Sequence, residues 1–382
     1  MGMYLDYNAS TPLDPRVLEK MTDIYKNHYG NADSRTHRYG NDAKKIVEEA
    51  REKVAMLLGV PTESICFTSG STESNNMAVL GLEEYGKRSG RKHIITTAIE
   101  HKSILEPCRH LQERGFQIDI VSPHMDGRVH SEDVLERIRP DTLLVSVMHV
   151  NNETGTIQPV KEIGDKLKGG DIYFHVDASQ SCGKLVEELR DLPCDLLSAS
   201  AHKMYGPQGV GLLVIRNKNG KRSELQPILY GGGQERGMRP GTLPVALIGG
   251  AGEAAMYAGL EYRDNEKKYR ANYDTILRIL AESGVQYQIN GDLRWGIKNT
   301  LNISFQGYDS EALMLAMDME DLGGISNGSA CTSHSYAPSY VLEAMGLDEK
   351  RVASAVRISW GTERVSGRDL RKMTELIKNW QG

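Results

Sequence analysis

Short runs of mostly apolar residues alternate with segments of helical periodicity along the first two-thirds of the chain. The apolar side chains of residues 42–58 recur on one helical face, and Gly59 ends that pattern. The β-rich runs between such segments cover residues 64–69, 93–98, 116–122, 141–150, 171–177, 194–200 and 210–215. Continuous apolar strands that alternate with helices are typical of a buried, mostly parallel sheet. The pattern therefore predicts an α/β domain whose functional groups lie in loops after the carboxyl ends of the strands.

The pattern changes after about residue 262. Residues 262–283 form a long, highly charged helical segment, and the strand candidates 287–290, 300–305 and 355–360 follow it with helices between them. We therefore expect two domains: a large α/β domain over residues 15–262, and a smaller α+β domain made of residues 1–14 and 263–382.

Charge and cysteine content exclude several classes of protein. The 382 residues include 46 Lys and Arg against 51 Asp and Glu, a net charge of −5, so we expect no direct binding of nucleic acid. There is no apolar stretch long enough to cross a membrane, and the amino terminus has no signal-peptide pattern. The five cysteines are scattered and form no CxxC, which argues against a disulfide framework or a metal site and favours the reducing cytoplasm.

A lysine and an aspartate follow two of the predicted strands. Lys203 lies in the segment SASAHKMYGP just past the run 194–200, and Asp177 ends the run 171–177. A lone loop lysine is usually a solvated side chain, and an aspartate there is often a helix cap. A lysine at the mouth of a parallel sheet can instead be desolvated and act as a nucleophilic amine. A Schiff-base lysine with an aspartate for a pyridinium nitrogen is the pattern of pyridoxal 5′-phosphate (PLP) enzymes.

A third motif, TSGSTESNN at residues 68–76, runs from a strand through a turn of small residues into a helix. Free N–H groups, hydroxyls and the helix dipole can bind an anion there, although a simple capped helix has the same pattern. Beside a PLP lysine, we interpret it as a phosphate cradle.

These motifs occur in a fixed order with the His of AIEHKS, HVNNETG, HVDASQS, GGGQERGMRPGTLP and NGSACTS. In that order they resemble the group I (NifS/IscS-like) cysteine desulfurases, and the similarity covers essentially the whole chain. The resemblance implies the aminotransferase-like type I fold of PLP-dependent transferases, a homodimer, PLP as the cofactor, and conversion of L-cysteine to L-alanine.

The resemblance also implies a role for each motif residue. Lys203 is expected to bind the cofactor covalently and to move protons, with Asp177 at the pyridinium nitrogen and Gln180 at the ring hydroxyl. His101 is expected to stack on the ring and help proton transfer. Asn152 is expected beside the cofactor and the substrate carboxylate, and Arg357 on that carboxylate, which its planar fork suits. The expected phosphate ligands are Ser71, Thr72, Ser200 and His202, with Thr242 reaching the phosphate of the partner subunit.

Cys331 lies in the polar, Gly- and Ser-rich segment ISNGSACTS, with nothing apolar to bury against. This setting suits an exposed nucleophile, and the resemblance implies that Cys331 takes the sulfur as a persulfide. The other cysteines are interpreted as small buried hydrophobic residues: Cys66, Cys108, Cys182 and Cys194.

The sulfur acceptor is the least determined feature. GGGQERGMRPGTLP and DTLLVSVMHVNNETG most resemble the desulfurases of bacterial DNA phosphorothioation, whereas iron–sulfur cluster assembly and tRNA thiolation are the alternative pathways. Departures from the family pattern at Ala201, Gln208 and residues 360–370 remove no catalytic group. A PLP aminotransferase or another lyase of the same fold remains an alternative, and it would not need Cys331. A non-catalytic sulfur-relay subunit is disfavoured by the intact Lys203 and Asp177.

Overall fold

A computed structural model describes residues 2–328 and 338–381 of the chain; Cys331 lies outside the described residues. The strands are β1 Met3–Tyr4, β2 Ile65–Thr68, β3 His93–Thr97, β4 Gln117–Val121, β5 Thr142–Met148, β6 Tyr173–Asp177, β7 Leu196–Ser200, β8 Gly211–Ile215, β9 Tyr287–Ile289, β10 Thr300–Phe305, β11 Gly323–Gly324 and β12 Ala355–Ser359. The helices are α1 Pro15–Asn27, α2 Arg38–Leu58, α3 Ser71–Leu80, α4 Glu83–Ser89, α5 Lys102–Glu113, α6 Ser131–Leu135, α7 Val160–Leu167, α8 Val186–Arg190, α9 Val245–Ser283, α10 Ser310–Met319, α11 Tyr340–Ala344, α12 Glu349–Ala353 and α13 Gly367–Gln381.

Seven strands form the large sheet in the order β2-β8-β7-β6-β5-β3-β4. All neighbouring pairs are parallel except those of β8, which runs antiparallel to both β2 and β7. Every β-rich run of the first two-thirds is a strand of this sheet, so the predicted mostly parallel α/β sheet is confirmed. The strands β2, β3, β5, β6 and β7 are buried along their whole length, because helices cover both faces.

Helix α9 packs closely along α2. A Cβ atom added to Gly252 would lie 2.5 Å from the Cα of Ala50, so only glycine allows this approach of the two backbones. The first half of α9, up to Ala258, packs into the core of the large sheet. From Tyr269 onward, α9 belongs to a second core together with β10 and β12.

The second core lies around a three-stranded antiparallel sheet with the order β12-β10-β9. Trp360, only 1% exposed, is the largest side chain buried there. Because α9 runs without a break through both cores, the division into two domains at residues 14/15 and 262/263 stays a prediction.

Among residues 2–328 and 338–381, no helix combines the length and the apolar character that a membrane crossing requires.

Candidate active site

A cavity of about 600 Å³ lies where β2, β5, β6 and β7 end, and β12 of the small sheet closes one side of it. It is the place where the α/β pattern predicts functional groups. Ten of the residues selected from the sequence line this cavity: Ser71, Thr72, His101, Asn152, Asp177, Gln180, Ser200, His202, Lys203 and Arg357. Their shared location is a structural observation, and their individual roles stay predictions.

Asp177 is the last residue of β6 and is 5% exposed. Its Oδ2 accepts a hydrogen bond from Asn75 Nδ2 at 2.8 Å, and its Oδ1 accepts from the backbone N–H of Ser179 at 2.9 Å and from the Ser179 hydroxyl. These contacts satisfy the oxygens of a buried carboxylate and fix its orientation. Asp177 is therefore held in a defined position on the cavity wall, the arrangement expected opposite a cationic ring nitrogen.

The contact from Asn75 continues to His101. Asn75 Nδ2 also lies 2.8 Å from Ser103 Oγ, which in turn lies 2.8 Å from His101 Nδ1. His101 caps α5, and its Nδ1 accepts the N–H of Ser103 at 3.2 Å, so the neutral ring carries its proton on Nε2. Burial lowers the pKa of His101, and the nearby Lys203 acts in the same direction. Asn75 and Ser103 thus orient both sides of the cavity.

Lys203 ends a single 3-10 turn, residues 201–203, that directly follows β7. Lys184 lies close by, and its Nζ donates to the carbonyl oxygen of Gln180 at 2.9 Å. Burial lowers the pKa of Lys184 to about 7, and the charge of Lys203 contributes. Burial together with these two lysines lowers the pKa of His202 to about 4. His202 is therefore neutral at pH 7, and this end of the cavity is positive.

The start of α3 forms the predicted anion cradle. Gly70, with φ +156° just before the helix, lies against Gly211, where an added Cβ would come within 2.5 Å of the Gly70 Cα. The turn places Ser71 Oγ 2.7 Å from Ser179 Oγ, and the Ser69 N–H donates to Glu73 Oε2 at 2.6 Å. Free N–H groups at a helix amino terminus suit a phosphate.

Arg357 reaches the cavity from β12 and is 5% exposed. Its Nη1 donates to the carbonyl oxygen of Asn152 at 3.0 Å, and its Nη2 donates to Asp6 Oδ1 at 2.5 Å. Its Nε is buried without a hydrogen-bond partner among the described residues. Arg357 thus keeps a charged donor for a ligand while two protein oxygens fix its plane.

The cavity contains further buried polar atoms that lack a partner in the described part of the chain: Asn152 Oδ1 and Gln180 Oε1. Such atoms are rare in proteins because they cost free energy unless a ligand pairs with them. Together with Arg357 Nε, the carboxylate of Asp177 and the anion cradle, they fit a ligand that has a phosphate, a ring nitrogen, a hydroxyl and a carboxylate. The residues present therefore fit PLP and an amino-acid substrate.

Asn8 lines the cavity and Asp6 pairs with Arg357 beside it, but neither was selected from the sequence. Asn8 Nδ2 lies 3.1 Å from the carbonyl oxygen of Asn152, and the Asn8 carbonyl accepts from Gln180 Nε2 at 2.9 Å. Both residues precede the first helix and follow no predicted strand of the large sheet. The only signal was the polar segment DYNAST itself.

Thr242 does not line the cavity and is exposed, at the end of a loop over residues 230–242. Arg51 anchors this loop through Glu235, with Nη1–Oε2 and Nη2–Oε1 distances of 2.9 and 2.8 Å. Glu235 and Arg236 both have positive φ, 46° and 56°, a strained conformation for non-glycine residues. The role of Thr242 in a partner subunit stays a prediction, as does the role of Cys331 outside the described residues.

The chain is similar to known proteins along most of its length. The aminotransferase class-V family matches residues 3–365. The cysteine desulfurase IscS of Photorhabdus laumondii subsp. laumondii is 44% identical over 367 residues, which cover 94% of this chain and 88% of that protein.

Two solved structures are also similar along nearly the full length. A NifS-like protein superposes with a TM-score of 0.89 and 36% identity, covering 99% of both chains. DndA from Streptomyces lividans superposes with a TM-score of 0.82 and 45% identity, covering 94% of this chain and 99% of that one.

Proposed function

The chain belongs to the aminotransferase class-V family and is a PLP-dependent cysteine desulfurase, and we propose that it converts L-cysteine to L-alanine while Cys331 takes up the sulfur as a persulfide. One observation carries this proposal: Asp177, Lys203 and the unpartnered Nε of Arg357 face the same cavity beside an anion cradle. An amino acid whose carboxylate lies on Arg357 has its amino group in the same space as Lys203.

We propose which residues would hold the cofactor. Lys203 Nζ would be the covalent attachment point, Asp177 would lie at the ring nitrogen and Gln180 at the ring hydroxyl, and the start of α3 would hold the phosphate. When bound, PLP supplies an electron sink for bond cleavage next to the substrate nitrogen. Asn75 and Ser179 hold the Asp177 carboxylate in place, so its position does not depend on the ligand.

Lys203 has a second task after the substrate amine has replaced it. Its freed amine removes the Cα proton of cysteine, as a positioned general base. His101, with its proton on Nε2, faces the cavity as a donor for proton return.

The sulfur step is balanced without an external oxidant. The Cys331 thiolate attacks the substrate sulfur, the bond between that sulfur and Cβ breaks, and a new S–S bond forms on Cys331. The electron pair of the broken bond stays on Cβ, which is then protonated, and the product leaves as alanine. The thiolate is the reactive form, because a thiol is a far weaker nucleophile.

Mass spectrometry after incubation with L-cysteine tests this assignment. We expect a persulfide on Cys331 and none on the buried Cys66, Cys108, Cys182 and Cys194, which are internal controls. Cys331→Ser should keep the cofactor and release no alanine. Lys203→Ala should lose the covalent bond to the cofactor, measured as chain mass after borohydride reduction. A persulfide on one of the buried cysteines, with Cys331→Ser fully active, would refute the role of Cys331.

For the acceptor we propose a protein of DNA phosphorothioation. The resemblance of GGGQERGMRPGTLP and DTLLVSVMHVNNETG to desulfurases of that system supports it, as does the 45% identity to DndA. Iron–sulfur assembly is the second candidate, because the 44% identity to IscS favours it to a similar degree, and tRNA thiolation is the third. Removing the gene distinguishes them: we expect the loss of phosphorothioate in DNA, with iron–sulfur enzymes and thiolated tRNA unchanged.

We also propose a cytoplasmic homodimer with two composite sites. The loop that ends at Thr242 is exposed and strained, yet it is anchored by a buried ion pair, which suits a segment held in place to contact a second copy. Light scattering should show twice the chain mass.

Alanine release without a keto acid would exclude the aminotransferase alternative.

A further inference from the structure

Two histidines and an aspartate lie together on the surface between β4 and α6, away from the cavity. The candidate ligand atoms of His124, His130 and Asp133 all lie within 4.8 Å of one another. His124 Nε2 lies 2.8 Å from Asp133 Oδ2, and the two imidazole rings stack with centroids 3.8 Å apart and planes 10° from parallel. The proposed function uses none of the three.

The backbone under this cluster is fixed. The N–H of His124 donates to the carbonyl of Arg128 at 2.8 Å, and the N–H of Gly127 donates to the carbonyl of His124 at 2.9 Å. Gln158, a buried residue, accepts the N–H of Val129 at 2.9 Å and donates to the carbonyl of Gly127 at 3.0 Å. These hydrogen bonds fix the backbone of the turn, so only side-chain rotation is needed to bring the three ligand atoms together.

The other two members start a helix. His130 is the N-cap residue of α6, but its side chain makes no capping hydrogen bond, so its ring is not committed to the helix. Asp133 lies in the first turn. Its Oδ2 already lies 2.8 Å from His124 Nε2, so the carboxylate faces the imidazole with which it would share the ion.

We propose that His124, His130 and Asp133 bind one Zn²⁺ ion. Two imidazole nitrogens and a carboxylate oxygen are a common zinc set, and a tetrahedral site with three protein ligands leaves the fourth position to water. With bonds of about 2.0–2.1 Å, tetrahedral ligand atoms lie about 3.3 Å apart. Rotation of partly exposed side chains can supply the difference from 4.8 Å, and the exposure leaves an entry path for the ion.

The sequence did not predict this site. We expected no metal because the cysteines lack a zinc spacing, but histidines six residues apart, followed by an aspartate three residues later, match no helical or strand period. Only the turn at Gly127, with φ +81°, brings His124 back over His130. Bound zinc would join this turn to α6 and stabilise the folded chain.

Zinc titration by calorimetry tests the proposal on untagged holoenzyme that carries Cys331→Ser, because the nucleophilic thiol is the other strong zinc ligand. We expect one zinc per chain and a rise in Tm with ZnCl₂. His130→Ala and Asp133→Asn should each weaken zinc binding at least about tenfold and abolish the rise in Tm. Even the loss of a residue that only contacts a metal ligand lowers metal affinity by about 10–100-fold. His110→Ala, which removes an exposed histidine of α5, is the matched control and should change neither.

The outcomes separate the possibilities. Zinc binding that persists unchanged in His130→Ala and Asp133→Asn would place the ion elsewhere and overturn the proposal. So would absence of binding to the Cys331→Ser holoenzyme. The substitutions alter exposed or partly exposed side chains, and far-UV circular dichroism verifies that each variant is folded. Desulfurase activity is not the readout, so a wrong proposed function would leave this result unchanged.

Discussion

Arg357 offers the sharpest test of how the cavity recognises its substrate. Its Nη atoms are fixed by Asn152 and Asp6, whereas its Nε has no partner among the described residues. Arg357→Ala removes the charged donor and leaves a substrate carboxylate unpaired in a largely desolvated cavity. Loss of one partner of a buried, hydrogen-bonded charge pair costs about 2–5 kcal/mol. At about 1.4 kcal/mol per tenfold change, kcat/KM for L-cysteine should fall by about 30-fold to several thousand-fold.

A smaller change separates charge from shape. Arg357→Lys keeps the positive charge but loses the planar fork and the bond to the Asn152 carbonyl. A hydrogen bond to a charged group contributes about 1.5–3 kcal/mol, so we expect a loss of about 10- to 100-fold in kcat/KM. Asp6→Asn is the comparison variant, because it removes the ion-pair partner and keeps Arg357. Because the pair is mostly buried, Asp6→Asn should lower Tm and weaken substrate binding, but less than Arg357→Ala does, since the free Nε of Arg357 stays in the cavity.

The assay compares two competitive inhibitors of alanine formation: L-alanine and ethylamine, which lacks the carboxylate. In the wild type, L-alanine should bind more tightly, and Arg357→Ala should remove most of that preference. An effect under about threefold on kcat/KM for L-cysteine would show that another residue holds the carboxylate. Equal weakening of L-alanine and ethylamine would show that Arg357 acts by supporting the fold.

Three further predictions concern buried polar and charged groups. Glu235→Ala leaves Arg51 buried without its main partner, which should lower the free energy of unfolding in urea by about 3–5 kcal/mol. Glu48→Ala removes the half-exposed partner of the same arginine and should lower that free energy by less than about 1 kcal/mol. Equal effects of the two substitutions would contradict the reasoning. Burial raises the pKa of Glu100 to about 8 from an ordinary value of 4.5. The contribution of Glu100 to stability is therefore fully present below pH 4.5 and is lost as the pH rises towards 8. Wild type should lose urea resistance relative to Glu100→Gln between pH 5 and pH 8, whereas substitution of an exposed residue, Glu106→Gln, should show no such trend. Asn75→Ala removes the donor that joins Asp177 to Ser103. It should speed the loss of cofactor, measured by visible absorbance during dialysis. Unchanged retention of the cofactor would show that Asn75 does not help to hold it.

The strands β2, β3, β5, β6 and β7 could be predicted because each is buried along its whole length and its run is mostly apolar. The edge strand β4 is partly exposed, and only its β-rich sequence indicated it. The direction of β8 could not be predicted, because an antiparallel strand buried between β2 and β7 has the same composition as a parallel one. Helix α2 begins at Arg38, four residues before the apolar stripe, because His37 caps it through the N–H of Gly40. Capping depends on one side-chain contact, which periodicity does not detect.

In the site, too, the strand pattern predicted some residues, whereas others depend on side-chain contacts that no pattern indicates. The meeting of Lys203, Asp177 and Ser71 at one cavity could be predicted because each lies at or just after the carboxyl end of a strand, and parallel strands bring these ends to one edge. Asn75 and Ser103 could not, because their contacts depend on how α3 and α5 pack side by side. Arg357 could be placed only through the family resemblance, since β12 belongs to another sheet.

The meeting of two sheets at one cavity depends on the segment before α1. Asp6 pairs with Arg357 of the small sheet and forms a backbone bridge with Ser359. Asn8 bonds to Thr300 on the same sheet, and also to Asn152 and Gln180 beside the large sheet. The lysine and the aspartate of the site therefore come from one sheet and the carboxylate clamp from another, and a segment of three residues, Asp6 to Asn8, sets the distance between them. Substitutions in this segment should alter substrate binding while the secondary structure of both sheets stays intact, because the segment is a strand of neither sheet and joins them through side-chain bonds and an isolated backbone bridge.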